Sequence, residues 1–287
     1  MRRNIFFLAA ALLFLPALRG QESYQLWPDG NAAARRVTIT PYVAEGSQTA
    51  VVVCPGGSYF WLDYKGEGLE VAEWLQKQGI SAFVLRYRVP GWWAWYTHYR
   101  LICRGVRYPD MYNDGQQALR WVSDHAAQYG IDTSRIGMMG FSAGGHLVLN
   151  QATDTGGRRP AFVVAVYPVV TMTGEYVHKR SRRGLLGEWG KYDKKLRERL
   201  SIERNIPHDC PPIMLVNCVD DPVVDYHNAQ MLADSLAAKG IPHCFFQYRH
   251  GRHGFGVSDV YGSPESRQWK QEFLKWLDHL WEVGSKN

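Results

Sequence analysis

Past its first twenty residues, the chain alternates short, wholly apolar runs with longer stretches in which apolar residues recur at helical spacing. Ala50 to Cys54, Ser81 to Leu85, Arg135 to Met139, Phe162 to Tyr167, Ile213 to Asn217 and Phe245 to Tyr248 read as strands. Between them, Leu69 to Gln78, Met111 to Gln128, Asn228 to Lys239 and Glu265 to Trp281 read as amphipathic helices, two of them closed by Gly79 and Gly240. Strands that are apolar on both faces and separated by helices predict an α/β fold: a mostly parallel central sheet with helices on both faces. Val37 to Thr40 predicts an antiparallel edge strand before this core. Two segments interrupt the alternation after predicted strands, near 88–110 and 171–207. Both are expected on the rim where the strands end.

The first residues follow a different pattern. Arg2 and Arg3 precede an apolar run from Ile5 to Leu18, with small residues Ala17 and Gly20 behind it. That is the build of a secretory signal, so residues 1–20 are read as a signal peptide and 21–287 as one domain. The expected location is periplasmic or secreted. The run is too short to predict a stable membrane span. The 287 residues carry a net charge of +6; losing Arg2, Arg3 and Arg19 with no acid leaves +3, which excludes a nucleic-acid-binding balance. Five cysteines without a C-x-x-C spacing predict neither a zinc site nor a disulfide framework; Cys54, Cys218 and Cys244 sit in strand-like runs as small hydrophobes.

The chemistry concentrates at Gly140-Phe141-Ser142-Ala143-Gly144, between an apolar strand and a helix start. This context makes the pentapeptide a nucleophile elbow. A serine hydroxyl needs a base, and the base an orienting acid. On this layout the acid follows a later strand and the histidine comes last. Asp220-Asp221-Pro222 leaves the Ile213 strand, and Asp221 is favoured over Asp220. His253 lies between glycines after the last strand and is favoured over His250. The oxyanion donors are expected at the Ala143 N–H and in the Pro55-Gly56-Gly57-Ser58 loop, at Gly57 first, with Ser58 or Gly56 as substitutes. His146 is read as packing beneath the site. No cofactor or metal is called for. Trp92, Trp93, Trp95 and Tyr96 are candidate stacking faces for sugar rings, and Arg100, Arg104 and Arg107 candidate partners for uronate carboxylates.

Together these residues resemble the α/β-hydrolase superfamily. More narrowly they are similar to exported bacterial acetyl-xylan-esterase-like hydrolases, through Leu26-Trp27-Pro28-Asp29-Gly30, Val53 to Gly57, Val84 to Arg88, Gly137 to Leu147, Leu185-Leu186-Gly187, Asp220 to Val224 and His253 to Gly256. The resemblance implies Ser142, Asp221 and His253 as nucleophile, acid and base, and an acylated plant glycan or other small ester as substrate, acetyl being the expected group. It leaves other readings open: a secreted serine peptidase or lipase on the same fold, or a non-enzymatic glycan-binding protein. Such relatives commonly carry His near Asn217 and Pro at Asp225; this chain has neither, and its 90–108 segment is longer and more aromatic.

Overall fold

The computed structural model describes residues 22–284, so the expected signal peptide lies outside the described residues. Eight strands form one sheet: β1 (Tyr24–Gln25), β2 (Thr38–Tyr42), β3 (Ala50–Cys54), β4 (Ser81–Arg86), β5 (Ile136–Phe141), β6 (Val163–Val166), β7 (Ile213–Cys218) and β8 (His243–Tyr248). Their spatial order is β1-β2-β4-β3-β5-β6-β7-β8. All pairings from β4 to β8 are parallel; β2 runs antiparallel to β4 and β1 antiparallel to β2. The expected edge strand is therefore the second strand in. The pair Tyr24–Gln25, too short to show a period, covers it.

Nine helices surround the sheet among the described residues: α1 (Glu70–Lys77), α2 (Gly91–Thr97), α3 (Asp110–Asp124), α4 (Ala126–Tyr129), α5 (Ala143–Thr153), α6 (Lys179–Gly190), α7 (Lys194–Arg199), α8 (His227–Ala238) and α9 (Trp269–Gly284). Alternation along the strands sends Val52 and Cys54 to one face and Val51 and Val53 to the other. The first face packs on α3, α5 and α8 through Leu119, Leu147 and Leu232; the second packs on α1 and α9 through Leu75, Trp269 and Phe273. The helix expected through Gln128 breaks at His125, whose backbone leaves the helical region and whose ring stacks on Trp121 instead.

The two interrupting segments fold against one another. Arg100 is fully buried and donates to the carbonyl oxygens of Val106, Gly184 and Arg183, with Glu188 at 3.6 Å. Arg183 donates to Glu188 at 2.9 Å and to the carbonyls of Ala94 and Trp95. Lys191 completes the set at 3.5 Å. The expectation that Arg100 meets a uronate is thus corrected: the side chain is buried, and both its terminal nitrogens donate to carbonyls inside the protein. Burial also lowers its pKa, against the opposing pull of Glu188. Arg104 is likewise committed, to Asp110. Glu188→Ala leaves three cations facing one another without their shared carboxylate. The expected loss is about 3–5 kcal/mol, read as a shifted denaturation midpoint; an unchanged midpoint would show that the network contributes nothing.

Candidate active site

The elbow is built by close backbone approach. A Cβ on Gly140 would stand 2.2 Å from the Gly144 carbonyl oxygen, and one on Gly144 would stand 2.1 Å from that of Cys54. Only glycine fits at either position, and the chain turns hard enough to hold Ser142 at φ 53, ψ −116. A non-glycine residue with positive φ is strained, and such strain collects where a side chain must be aimed. Ser142 heads α5, so the first N–H groups of that helix surround it.

His253 Nε2 lies 2.9 Å from Ser142 Oγ, and His253 Nδ1 lies 2.6 Å from Asp221 Oδ2. A carboxylate only accepts, so Nδ1 carries the hydrogen and Nε2 is left to accept from the serine hydroxyl. The other Asp221 oxygen accepts from the N–H groups of Val223 and Val224 at 2.8 and 3.0 Å. Both oxygens are thereby fixed in a buried carboxylate. Asp220 has separate work: it accepts from the N–H groups of Gly251 and Arg252 and pins the loop that delivers His253. His250 points outward, 3.3 Å from Asp220. The glycines near His253 serve close packing and a turn. A Cβ on Gly251 would meet Cys218 Sγ at 2.4 Å, and Gly254 takes a left-handed φ of 79.

The loop after β3 wraps the other side. A Cβ on Gly56 would fall 2.8 Å from Ser142 Cβ, which places this loop against the elbow serine. The Gly56 N–H donates to Glu67 Oε2 at 2.7 Å, so Gly56 is withdrawn as an oxyanion donor. Among the described residues the N–H groups of Gly57, Ser58 and Ala143 have no acceptor. Gly57 takes φ 128, and Ser58 and Tyr59 follow in the left-handed region at φ 56 and 61. The carbonyl of Gly57 accepts from Phe60 and Trp61, which locks this tight bend.

Several residues of the site carried no signal in the sequence. Glu67 is buried on a π-helical turn, Lys65–Leu69. Besides Gly56 it accepts from the Tyr167 hydroxyl at 2.7 Å, and that hydroxyl accepts from the Gly256 N–H at 3.0 Å. The Tyr167 ring lies 4.6 Å from the His253 ring. One chain of hydrogen bonds thus ties the Gly56 loop to the histidine loop. Burial raises the Glu67 pKa, opposed by His253 and the Tyr167 hydrogen bond. Glu67→Ala frees the Gly56 N–H and unties Tyr167. A kcat lower by on the order of tenfold to a hundredfold is expected, less than the about 10²–10³ that outright loss of an oxyanion donor costs, because the donors remain and only their anchoring is lost; steady-state kinetics on an aryl acetate would read it. Unchanged kcat would make Glu67 a bystander.

Arg180 donates from Nε to Ser58 Oγ at 3.0 Å and lies over the rings of Trp61 and Trp95. Trp61 stacks on Trp92 at 4.0 Å and 4°. Of the aromatic residues proposed for sugar contact, Trp92, Trp93 and Tyr96 are 55, 71 and 70% exposed on α2, whereas Trp95 is half-buried among Phe60, Trp61, Arg180 and Arg183.

His146 does lie beneath the elbow. Its Nε2–H donates to the Leu200 carbonyl and its Nδ1 accepts from the Tyr59 hydroxyl, both at 2.9 Å. Burial pushes its pKa down to about 4. A histidine depressed in the folded state takes its proton first when unfolded. Stability therefore falls as pH drops from 6.5 toward about 4, by on the order of 3 kcal/mol from this residue. His178, lowered to about 4 by burial and then by Arg180, acts in the same window. Thermal midpoints measured across that range should decline, and less so for His146→Gln; a flat profile contradicts this assignment.

A parallel sheet in this order, with its elbow serine at the end of β5 and histidine and acid on the loops after β8 and β7, defines an α/β hydrolase. The BD-FAE family model matches residues 39–236, and the chain belongs to that family. An acetylxylan esterase of Xylanibacter ruminicola is 32% identical over 287 residues, covering 98% of this chain and 55% of that protein. Endo-1,4-beta-xylanase B of Butyrivibrio fibrisolvens is 30% identical over 222 residues, 73% of this chain and 33% of its own. The chain thus spans about half the length, or less, of these curated relatives. Among solved structures, an acetyl ester-xyloside bifunctional hydrolase from Caldicellulosiruptor lactoaceticus superimposes with a TM-score of 0.77 at 29% identity, over 91% of this chain and 96% of that one.

Proposed function

We propose that the protein is a serine esterase that removes short acyl groups, acetyl first, from plant saccharides. The observation that carries this reading is the 2.9 Å contact between His253 Nε2 and the hydroxyl of a strained elbow serine, with Asp221 behind the ring. Ser142 Oγ attacks the ester carbonyl as His253 takes its proton. The oxyanion forms against the N–H of Ala143 and those of Gly57 and Ser58, groups without an acceptor among the described residues. The tetrahedral species collapses, and His253 returns the proton to the departing sugar oxygen. Water, activated by the same nitrogen, then frees the acyl group and Ser142. Asp221 keeps the ring in the tautomer this cycle needs and offsets the charge of the imidazolium.

The substrate class is supported by the printed names of relatives, an acetylxylan esterase and an acetyl ester-xyloside hydrolase, and by the exposed rings of Trp92, Trp93 and Tyr96, flat faces suited to sugars. Export rests on the basic and apolar run at residues 2–18, and a mature N-terminus found beyond it in the cell exterior is the test. For the activity itself, acetylated xylo-oligosaccharides are incubated with the protein and followed by mass spectrometry. Stepwise loss of acetyl units, absent with Ser142→Ala, is expected. Peptide cleavage, activity that climbs with acyl chain length, or saccharide binding without turnover would replace this reading with one of its alternatives.

A further inference from the structure

A cavity of about 480 Å³ lies beside the aromatic segment, apart from Ser142, which is not among its lining residues. This is the size range of small-molecule sites. Its wall contains Arg36, Arg86 and Arg88, together with Trp61, Tyr64 and Tyr99, and not one Asp or Glu. A second hollow of about 420 Å³ adjoins it through Arg88, Tyr99 and Val106 and adds Arg104. The four arginines are not equivalent. Arg88 is held by Asp114 at 2.6 Å, and Arg104 by Asp110 at 2.8 Å. Arg36 and Arg86 have no carboxylate partner among the described residues; the Arg86 guanidinium lies over the Tyr64 ring at 4.1 Å. The cavity therefore presents two uncompensated guanidinium groups beside aromatic faces.

We propose that this cavity binds an acidic sugar unit, a uronate, through Arg36 and Arg86, within its aromatic wall. Guanidinium forks match a carboxylate with two parallel hydrogen bonds, and aromatic walls accept the apolar face of a sugar. A neutral sugar would use the walls and leave both charges unmet. A buried carboxylate from the protein itself would have closed the site to anions, as Asp114 and Asp110 do next door. Trp61 links the two regions: it lines the cavity and also stacks on Trp92, while its backbone oxygen abuts Gly57. The binding is independent of whether Ser142 turns over esters.

The test is calorimetric titration of Ser142→Ala protein, in which no ester can be consumed, with a xylo-oligosaccharide bearing one glucuronate and with its neutral counterpart. The acidic ligand should bind at least about tenfold more tightly, and the difference should shrink as salt is raised. Adding Arg36→Ala and Arg86→Ala should bring the two affinities together. Both side chains are exposed, and an unchanged thermal midpoint verifies that the variant is folded. Equal affinities in the parent protein, or a preference for the acidic ligand that survives removal of both arginines, would overturn the proposal. Loss of ester turnover in unrelated variants would leave it standing.

Discussion

Ser142→Ala is expected to lower kcat/KM toward an aryl acetate by on the order of 10⁴-fold or more, with the fold intact. In the proposed relay the hydroxyl is the atom that attacks: it lies 2.9 Å from His253 Nε2, on a residue held at a strained φ of 53. Alanine keeps a Cβ, so packing against Gly56 and the start of α5 survives. What disappears is the acceptor of the acyl group. Residual turnover would come from the N–H groups of Gly57, Ser58 and Ala143, without an acceptor among the described residues, acting on bound ester with water alone. The measurement is a progress curve with a thermal midpoint taken on the same sample. A loss smaller than tenfold would mean that ester cleavage runs through another nucleophile.

The second large effect separates two neighbouring acids. Asp221→Asn should lower kcat by ~10³–10⁴-fold. The amide can still accept from Val223 and Val224 through its oxygen. It then turns an NH₂ toward His253 Nδ1, which forces that nitrogen to accept and puts the ring hydrogen on Nε2. The base is then protonated where it must be bare. Asp220→Asn keeps an oxygen for the N–H groups of Gly251 and Arg252, and its cost should stay within roughly tenfold. Steady-state kinetics of the two single variants decide the matter. Equal losses would mean that the loop, and not the carboxylate on the ring, is what the reaction needs.

The contrast between these acids also shows what a sequence can carry. That Ser142, Asp221 and His253 would come together was readable because each sits at the end of a predicted strand, where loop order on a parallel sheet leaves few choices. The sheet was readable for a related reason: strands buried on both faces are apolar throughout, and helices between them are periodic. Glu67 was not readable. It lies on a π-helical turn, and its carboxylate is explained only by Gly56, Tyr167 and Gly256, up to 189 positions away along the chain, counted from Gly256 back to Glu67. Arg180 was hidden in a basic run in which most charges look alike until Ser58, Trp61 and Trp95 gather round one of them. Arg100 misled for the converse reason. An arginine among aromatics suggests a ligand contact, but three carbonyls take its two terminal nitrogens, beside Glu188, once the two segments fold together. Long-range satisfaction of polar groups is fixed by tertiary packing, and no local pattern records it.

If the hydroxyl at the elbow carries the acyl group, covalent capture of the intermediate will find it there. The protein is mixed with p-nitrophenyl acetate, quenched in acid within the first turnovers, digested and mapped by tandem mass spectrometry. One acetyl group on the peptide containing Ser142, absent from Ser142→Ala and strongly diminished in His253→Ala, is the predicted result. Ester hydrolysis at full rate with Ser142 unmodified, or with the acetyl group on another residue, would contradict the account.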